Sequence, residues 1–198
     1  MKIFLLSVFL NLLFYTPHAQ TASPATPLAA PQAAPPASAD QVLKEAQAEA
    51  AKQNKNVFII FHASWCGWCH KMDSSMNDKR CKKFFDDNYV IRHLVVQESK
   101  NKKHLENPGA MELLTRYNGA EQGIPFWLVF DKGGNLLADS RIRSAPDPLK
   151  AEEGDKGKNS GCPAAKEEVD YFISVLKKTS SLNDQDAFII AKRFRENE

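Results

Sequence analysis

Apolar positions along this chain change period several times, and each change marks an element. Val42, Leu43, Ala46 and Ala50 recur at helical spacing, and Ser38 with Gln41 three residues later resembles a capping box, so a helix is expected up to about Lys52. Asn54-Lys55-Asn56 breaks it. Val57-Phe58-Ile59-Ile60-Phe61 is then apolar without interruption, the pattern of a short strand covered on both faces. A helix from about Cys66 carries Met72 and Met76 at i, i+4, and Asp78 caps a second turn or helix bearing Cys81, Phe84 and Phe85. Methionine and phenylalanine at this spacing are core residues by default.

The second half alternates in the same way. Tyr89 to Val96 reads as a strand, followed by a polar, Lys-rich loop and by a helix that starts at Pro108, runs through Met111, Leu113, Leu114 and Tyr117, and ends at Gly119. Ile124 to Phe130 is a strand with a proline at its mouth. Asp131-Lys132-Gly133-Gly134-Asn135 turns it into a partner strand from Leu136 to Ile142, a β-hairpin. A long Gly/Pro/charge-rich insertion, Ser144 to Pro163, separates this from a helix over Ala164 to Lys178, with Val169, Phe172, Ile173 and Leu176 on one face. A last helix is expected at about Asp184 to Glu196, with Phe188, Ile189 and Phe194. No internal repeat is visible.

The N-terminus changes the picture of where the chain works. Lys2 precedes an apolar stretch from Ile3 to Tyr15 and a short polar region, as in a signal peptide over residues 1–19, with cleavage after Ala19. The apolar stretch falls short of the roughly 20 residues of a membrane span, so no stable span is expected after cleavage, and a periplasmic or secreted location is. Residues 20–39 are dominated by Ala, Pro, Ser and Thr without a charge, a composition that cannot bury a core and reads as an extended linker. Residues 40–198 suffice for one domain. The formal charge of +2, or +1 without Lys2, implies no nucleic-acid partner, and Lys192-Arg193-Phe194-Arg195 reads as a basic, solvated helix end.

Candidate chemistry centres on Trp65-Cys66-Gly67-Trp68-Cys69-His70, directly after the buried strand and at a helix start. Two sulfurs separated by two residues can close a small disulfide ring, and the first lies near unpaired backbone N–H groups that favour its thiolate. Cys66–Cys69 is the natural pair. Cys81 and Cys162 bond to one another, stay separate buried thiols, or relay electrons to Cys66; spacing does not choose between these. The same letters spell Cys-x-x-Cys-His, a c-type haem attachment signature with His70 as axial ligand. The buried strand ahead of the motif and the order of elements argue against a small helical cytochrome. Zinc on Cys66, Cys69 and two of His62, His70, Cys81 or Cys162 lacks a second short-spaced ligand pair.

Trp65-Cys66-Gly67-Trp68-Cys69 at a strand-to-helix junction, together with Ile124-Pro125 opening the strand of a hairpin, resembles the thioredoxin-like family over about Asp40 to Lys178. Trp-Cys-Gly-Trp-Cys-His-Lys-Met is similar to the secreted or membrane-tethered subset with Gly-Trp between the cysteines, often bacterial. The resemblance implies an α/β thioredoxin-like fold: a central mixed β-sheet flanked by helices, here with extra N- and C-terminal helices. It implies Cys66 as attacking thiolate, Cys69 as resolving thiol and Pro125 as a cis-proline. Trp65, Gly67, Trp68, Ile124 and Pro125 would line the substrate site. It requires no cofactor and no metal, and its partners would be disulfide-bearing protein substrates and a thiol electron donor, with the protein a monomer.

Disulfide reduction or isomerisation is the activity expected, and Ile124 before the proline resembles the reducing branch. The alternative is a peptide-binding or chaperone module whose cysteines turn over little. Two positions depart from the family pattern: Ile60 stands where many thioredoxins carry a buried acid, and His62 where an aromatic is common. His70 is either a solvated helix residue or, when charged, a group that tunes the thiolate.

Overall fold

The computed structural model describes residues 34–143 and 157–198. The expected signal peptide, most of the expected linker, and residues 144–156 of the insertion lie outside them. Helix α1 (Ala39–Gln53) leads into β1 (Asn56–His62), α2 (Gly67–Met76), α3 (Lys82–Asn88) and β2 (Tyr89–Val95). A 3₁₀ turn (Lys100–Leu105), α4 (Ala110–Arg116), β3 (Phe126–Phe130) and β4 (Leu136–Asp139) follow. Then come the short strands β5 (Arg141–Ile142) and β6 (Lys158–Asn159), and helices α5 (Lys166–Thr179) and α6 (Asp184–Arg195).

The main sheet has the order β2-β1-β3-β4, with β1 and β2 parallel and the β1–β3 and β3–β4 pairs antiparallel. The uninterrupted apolar run in β1 now has its reason. Successive side chains of a strand point to opposite faces, and both faces are covered. Phe58 and Ile60 join Met72, Trp127, Val129, Phe172 and Phe194 beneath α2, α3, α5 and α6. Val57, Ile59 and Phe61 join Ala46, Ala50, Leu114, Phe126 and Leu128 beneath α1 and α4.

Helix boundaries follow local chemistry. Ser38 Oγ accepts the Gln41 N–H at 3.2 Å to start α1, and Asn54, at φ 53°, ends it in the left-handed region. Only half of the expected capping box forms, because the Gln41 side chain donates forward to Glu45 at 2.9 Å. Among the described residues no helix is long and apolar enough to cross a membrane.

Two expectations are corrected. The Lys-rich loop after β2 is a 3₁₀ turn. The partner strand read over Leu136 to Ile142 breaks at Ser140, whose N–H donates to Trp127 O at 3.0 Å while its carbonyl accepts from Ser160 N at 2.7 Å. Beyond it β5 pairs with β6 in a separate two-stranded sheet. Asp139 causes the turn: its buried carboxylate accepts the Arg141 N–H at 2.8 Å and the Arg141 and Arg143 guanidinium groups at 2.7 and 2.5 Å. The Tyr171 hydroxyl closes the corner by donating to Asp139 O at 2.8 Å. The basic end of α6 is also more than a solvated face, since Arg193 pairs with Asp78 at 3.0 Å and Arg195 donates to Ala164 O at 2.7 Å.

Candidate active site

At the end of β1 the chain makes one tight turn, closed by the Cys66 N–H on Ala63 O at 3.0 Å, and enters α2. Cys66 is the N-cap of that helix. Its Sγ accepts the Cys69 N–H at 3.1 Å, so the sulfur occupies the position where a helix start offers unpaired donors and partial positive charge. A 2.04 Å bond joins Cys66 to Cys69, whose Cα atoms are 5.3 Å apart. The Ile124–Pro125 peptide bond is cis, and Ile124 O lies 3.6 Å from Cys66 Sγ. Ala63, Cys66, Cys69 and Ile124 form a small apolar cluster of their own.

The structure thus brings together Cys66, Cys69, Ile124 and Pro125, which are far apart in the chain. Trp65 and Trp68 flank them with large exposed surfaces, 57% and 48%. The Trp65 indole N–H donates to Gln97 O at 2.8 Å, and Lys71 Nζ sits 4.2 Å from the centre of the Trp68 ring. Gly67 has open space where a Cβ would be, so packing does not require glycine there.

Several residues that the sequence reading did not single out hold this site. Ser64, at the turn, donates its N–H to one Glu98 oxygen at 2.5 Å and its hydroxyl to the other at 2.9 Å, while Lys102 Nζ donates to Ser64 Oγ at 3.1 Å. Burial pushes the Glu98 carboxyl up, but these hydrogen bonds and the Lys102 charge outweigh it and hold the carboxyl below its ordinary range. Asn159 braces the other side: its Nδ2 lies 3.1 Å from both Gly123 O and Pro125 O. Glu98 lies 34 positions from Ser64, and Asn159 lies 34 from Pro125 and 36 from Gly123, and no local pattern announces contacts of that range.

Ile60 is buried in the core, so no acid stands at that position. His62 packs its ring against His93, with centroids 4.9 Å apart, and His93 Nε2 is 2.8 Å from Asp73 Oδ1. Burial, then repulsion from His93, lowers the His62 pKa, although Asp73 partly opposes this. His70 Nε2 lies 3.2 Å from Ser64 O. Among the described residues no group of three or more His, Cys, Asp or Glu side chains is arranged around a common centre.

Cys81 and Cys162 are separate, buried thiols, which excludes the disulfide between them. Burial pushes Cys81 up to about 11 and Cys162 up to about 12.

A family model described as thioredoxin-like matches residues 39–132. Solved structures similar to the chain include the disulphide isomerase from Xylella fastidiosa Temecula1, 21% identical over 52% of this chain and 73% of that one, with a TM-score of 0.43. The DsbH oxidoreductase is 20% identical over 80% of this chain and 94% of its own, with a TM-score of 0.35. A thioredoxin from Thermus thermophilus is 21% identical over 47% and 61%, with a TM-score of 0.33. No curated protein matches. The match spans α1 to the end of β3 and so contains both halves of the site, the Cys66–Cys69 turn and the Ile124–Pro125 loop, within a thioredoxin-like fold.

Proposed function

We propose that the protein is a thiol–disulfide oxidoreductase of the cell envelope that reduces, or isomerises, disulfides of secreted proteins. One observation carries the reading: the Cys66–Cys69 pair caps α2 with Cys66 Sγ facing the backbone of Ile124. In the reduced pair, the Cys66 thiolate attacks one sulfur of a substrate disulfide. The second substrate sulfur leaves as a thiolate and takes a proton. Cys69 then loses its proton and attacks Cys66 Sγ, releasing the first substrate sulfur as a thiol and restoring the Cys66–Cys69 bond. Two electrons have passed to the substrate, and an external thiol donor returns them.

The cap position supports Cys66 as the attacking sulfur. An ordinary thiol with pKa near 8.5 is a few per cent ionised at pH 7, whereas a value near 7 makes it about half ionised. The substrate strand would lie along Ile124 and Pro125, between Trp65 and Trp68, and Gly67 would leave room for it. The leader pattern of residues 1–19 supports an envelope location, and Ile124 before the proline supports the reducing direction.

Insulin reduction with dithiothreitol tests the activity: wild type accelerates precipitation of the B chain, and Cys66→Ser returns it to the rate of reductant alone. Equal rates for the two sink the reading. A redox titration against glutathione tests direction, and a potential near −120 mV, as in strong oxidants, overturns the reductase assignment. The exposed Trp65 and Trp68 also favour a peptide-binding module. That alternative gains if Cys66→Ser matches wild type in insulin reduction and still binds unfolded peptide.

A further inference from the structure

The groove beside the cysteines continues past the family match, onto a wall made by the end of the insertion. Trp68, Ile124 and Pro125 on one side and Ser160, Gly161, Cys162 and Glu168 on the other enclose a cavity of about 180 Å³. The far wall is fixed by Ser160 N on Ser140 O at 2.7 Å and by the Trp127 indole N–H on Gly161 O at 3.0 Å. Trp68 is placed differently. Its ring is 48% exposed, and the group that faces it is the Lys71 ammonium, 4.2 Å from the ring centre. Lys71 is held in turn by a residue far along the chain. Its Nζ donates to Asn197 O at 3.0 Å, and its own carbonyl accepts from Ser75 Oγ at 2.8 Å. Asn197 follows α6, 126 positions from Lys71, and is buried, at 6% exposure. Its side-chain amide closes the circuit. Nδ2 donates to Ser75 Oγ at 2.9 Å and lies 3.4 Å from Pro163 O and 3.5 Å from Cys162 Sγ, while Oδ1 accepts from Arg193 Nη1 at 3.2 Å. Asn197 does not line the cavity, yet one wall reaches it through Lys71 and the other through Cys162. A buried amide bonded at both ends is rigid, whereas the flexible stem of a surface lysine swings unless something holds it.

We propose that Asn197 is a positioning residue of the substrate groove: it fixes Lys71, and through Lys71 the Trp68 ring, relative to the Cys162 wall. The proposal rests on the disulfide-exchange reading and adds to it a residue that governs polypeptide binding without touching substrate. The effect is one of pre-ordering. A tryptophan that swings freely must be stilled when a substrate strand lies along Ile124, and that lowers affinity; a ring already held against an ammonium loses less freedom. The sulfur chemistry is served separately, by the cap position of Cys66 at the start of α2. Asn197 therefore matters for holding a polypeptide and not for exchange with a small disulfide.

The test uses the full-length protein with insulin as polypeptide substrate and hydroxyethyl disulfide as a substrate too small to span both walls. In Asn197→Ala the KM for insulin is expected to rise about 5-fold, the worth of pre-ordering one large side chain, with kcat and the hydroxyethyl disulfide rate within about twofold of wild type. Lys71→Met, which cuts the link between Asn197 and Trp68, should raise KM by a similar factor. In a Trp68→Ala background, where no ring is left to position, adding Asn197→Ala should change KM no further. An unchanged KM in Asn197→Ala overturns the proposal. So do a parallel fall in kcat and the small-disulfide rate, and KM changes that multiply in the double variant, both of which mark a merely structural role. If Asn197→Ala does not fold, Lys71→Met, at an exposed position, decides on the same KM criterion. A spectroscopic readout keeps the two readings apart. The Trp68 ring current should move the Lys71 ε-methylene protons upfield in wild type and not in Asn197→Ala. If wild type reduces neither disulfide, the exchange reading falls, and this signal decides the positioning by itself: its persistence in Asn197→Ala overturns the proposal and its loss supports it.

Discussion

Cys66 and Cys81 occupy the same formal position, each the N-cap of the helix that follows it, and both are buried. Around Cys66 the helix start is used: the sulfur accepts the Cys69 N–H, bonds to Cys69 and faces Ile124 O across a groove rimmed by exposed tryptophans. Around Cys81 it is not. Its side chain makes no cap hydrogen bond, and it packs among Met76, Phe84, Phe85 and Tyr89 in the core. Charges near Cys81 belong to a network of permanent ions, Asp78, Arg80, Arg193 and Glu196, in which Asp78 is held below its ordinary range by hydrogen bonds from Arg80. Near Cys66 in the chain stand His62 and His70 instead, and burial, then repulsion from His93, lowers the His62 pKa. Burial and a helix start therefore do not make a reactive thiol. An N–H aimed at the sulfur, a partner cysteine one turn on and a groove that admits substrate distinguish the two.

The comparison can be broken most directly by exchange kinetics. Cys81→Ala should retain the full wild-type rate of insulin reduction while Cys66→Ser falls to background, and a large loss in Cys81→Ala would mean that the core thiol takes part. Thiol labelling reads the next largest difference. In the reduced protein at pH 8, a Cys81 pKa of about 11 leaves on the order of one thiolate in a thousand. Iodoacetamide should then modify Cys66 at least about 100-fold faster than Cys81, as mass spectrometry of the peptides would record. Comparable rates would remove the electrostatic distinction.

A smaller effect concerns acid. Because burial and His93 lower the His62 pKa from 6.5, the unfolded chain binds a proton that the folded one resists as pH falls below 6.5. Stability contributed by neutral His62 is complete above that value and is lost between it and the lower folded pKa. Thermal melts at pH 7.5 and 5.5 should show a smaller drop in Tm for His62→Phe than for wild type; an unchanged drop assigns the acid sensitivity to other groups. Smallest of all, Gly67→Ala meets open space at a helix start, and denaturant melts should show about 0.5 kcal/mol of added stability. A loss there would mean that the turn into α2 depends on glycine and not on the Cys66 cap alone.

Much of this contrast was legible in the chain, for local reasons. The run Val57–Phe61 declares a strand buried on both faces because alternate side chains leave by opposite sides, and Cys66 and Cys69 are within one helical turn of each other wherever the chain goes. The Ile124-Pro125 signal depends on a proline at a strand mouth, again a local feature. The break at Ser140 was hidden because Asp139 reads as an ordinary strand end until Arg141 and Arg143 close on its carboxylate.

The sequence by itself determined the order of elements, the faces of β1 and the pairing of Cys66 with Cys69, since each depends on periodicity or on residues within a turn. Only the tertiary structure decided that Cys81 and Cys162 stay apart, that Glu98 holds the Ser64 turn, that Asn159 braces the proline loop, and that Ser160 and Cys162 wall the groove. Those contacts join segments tens of residues apart, and the packing of helices on both faces of the sheet, which no short window contains, sets their distances.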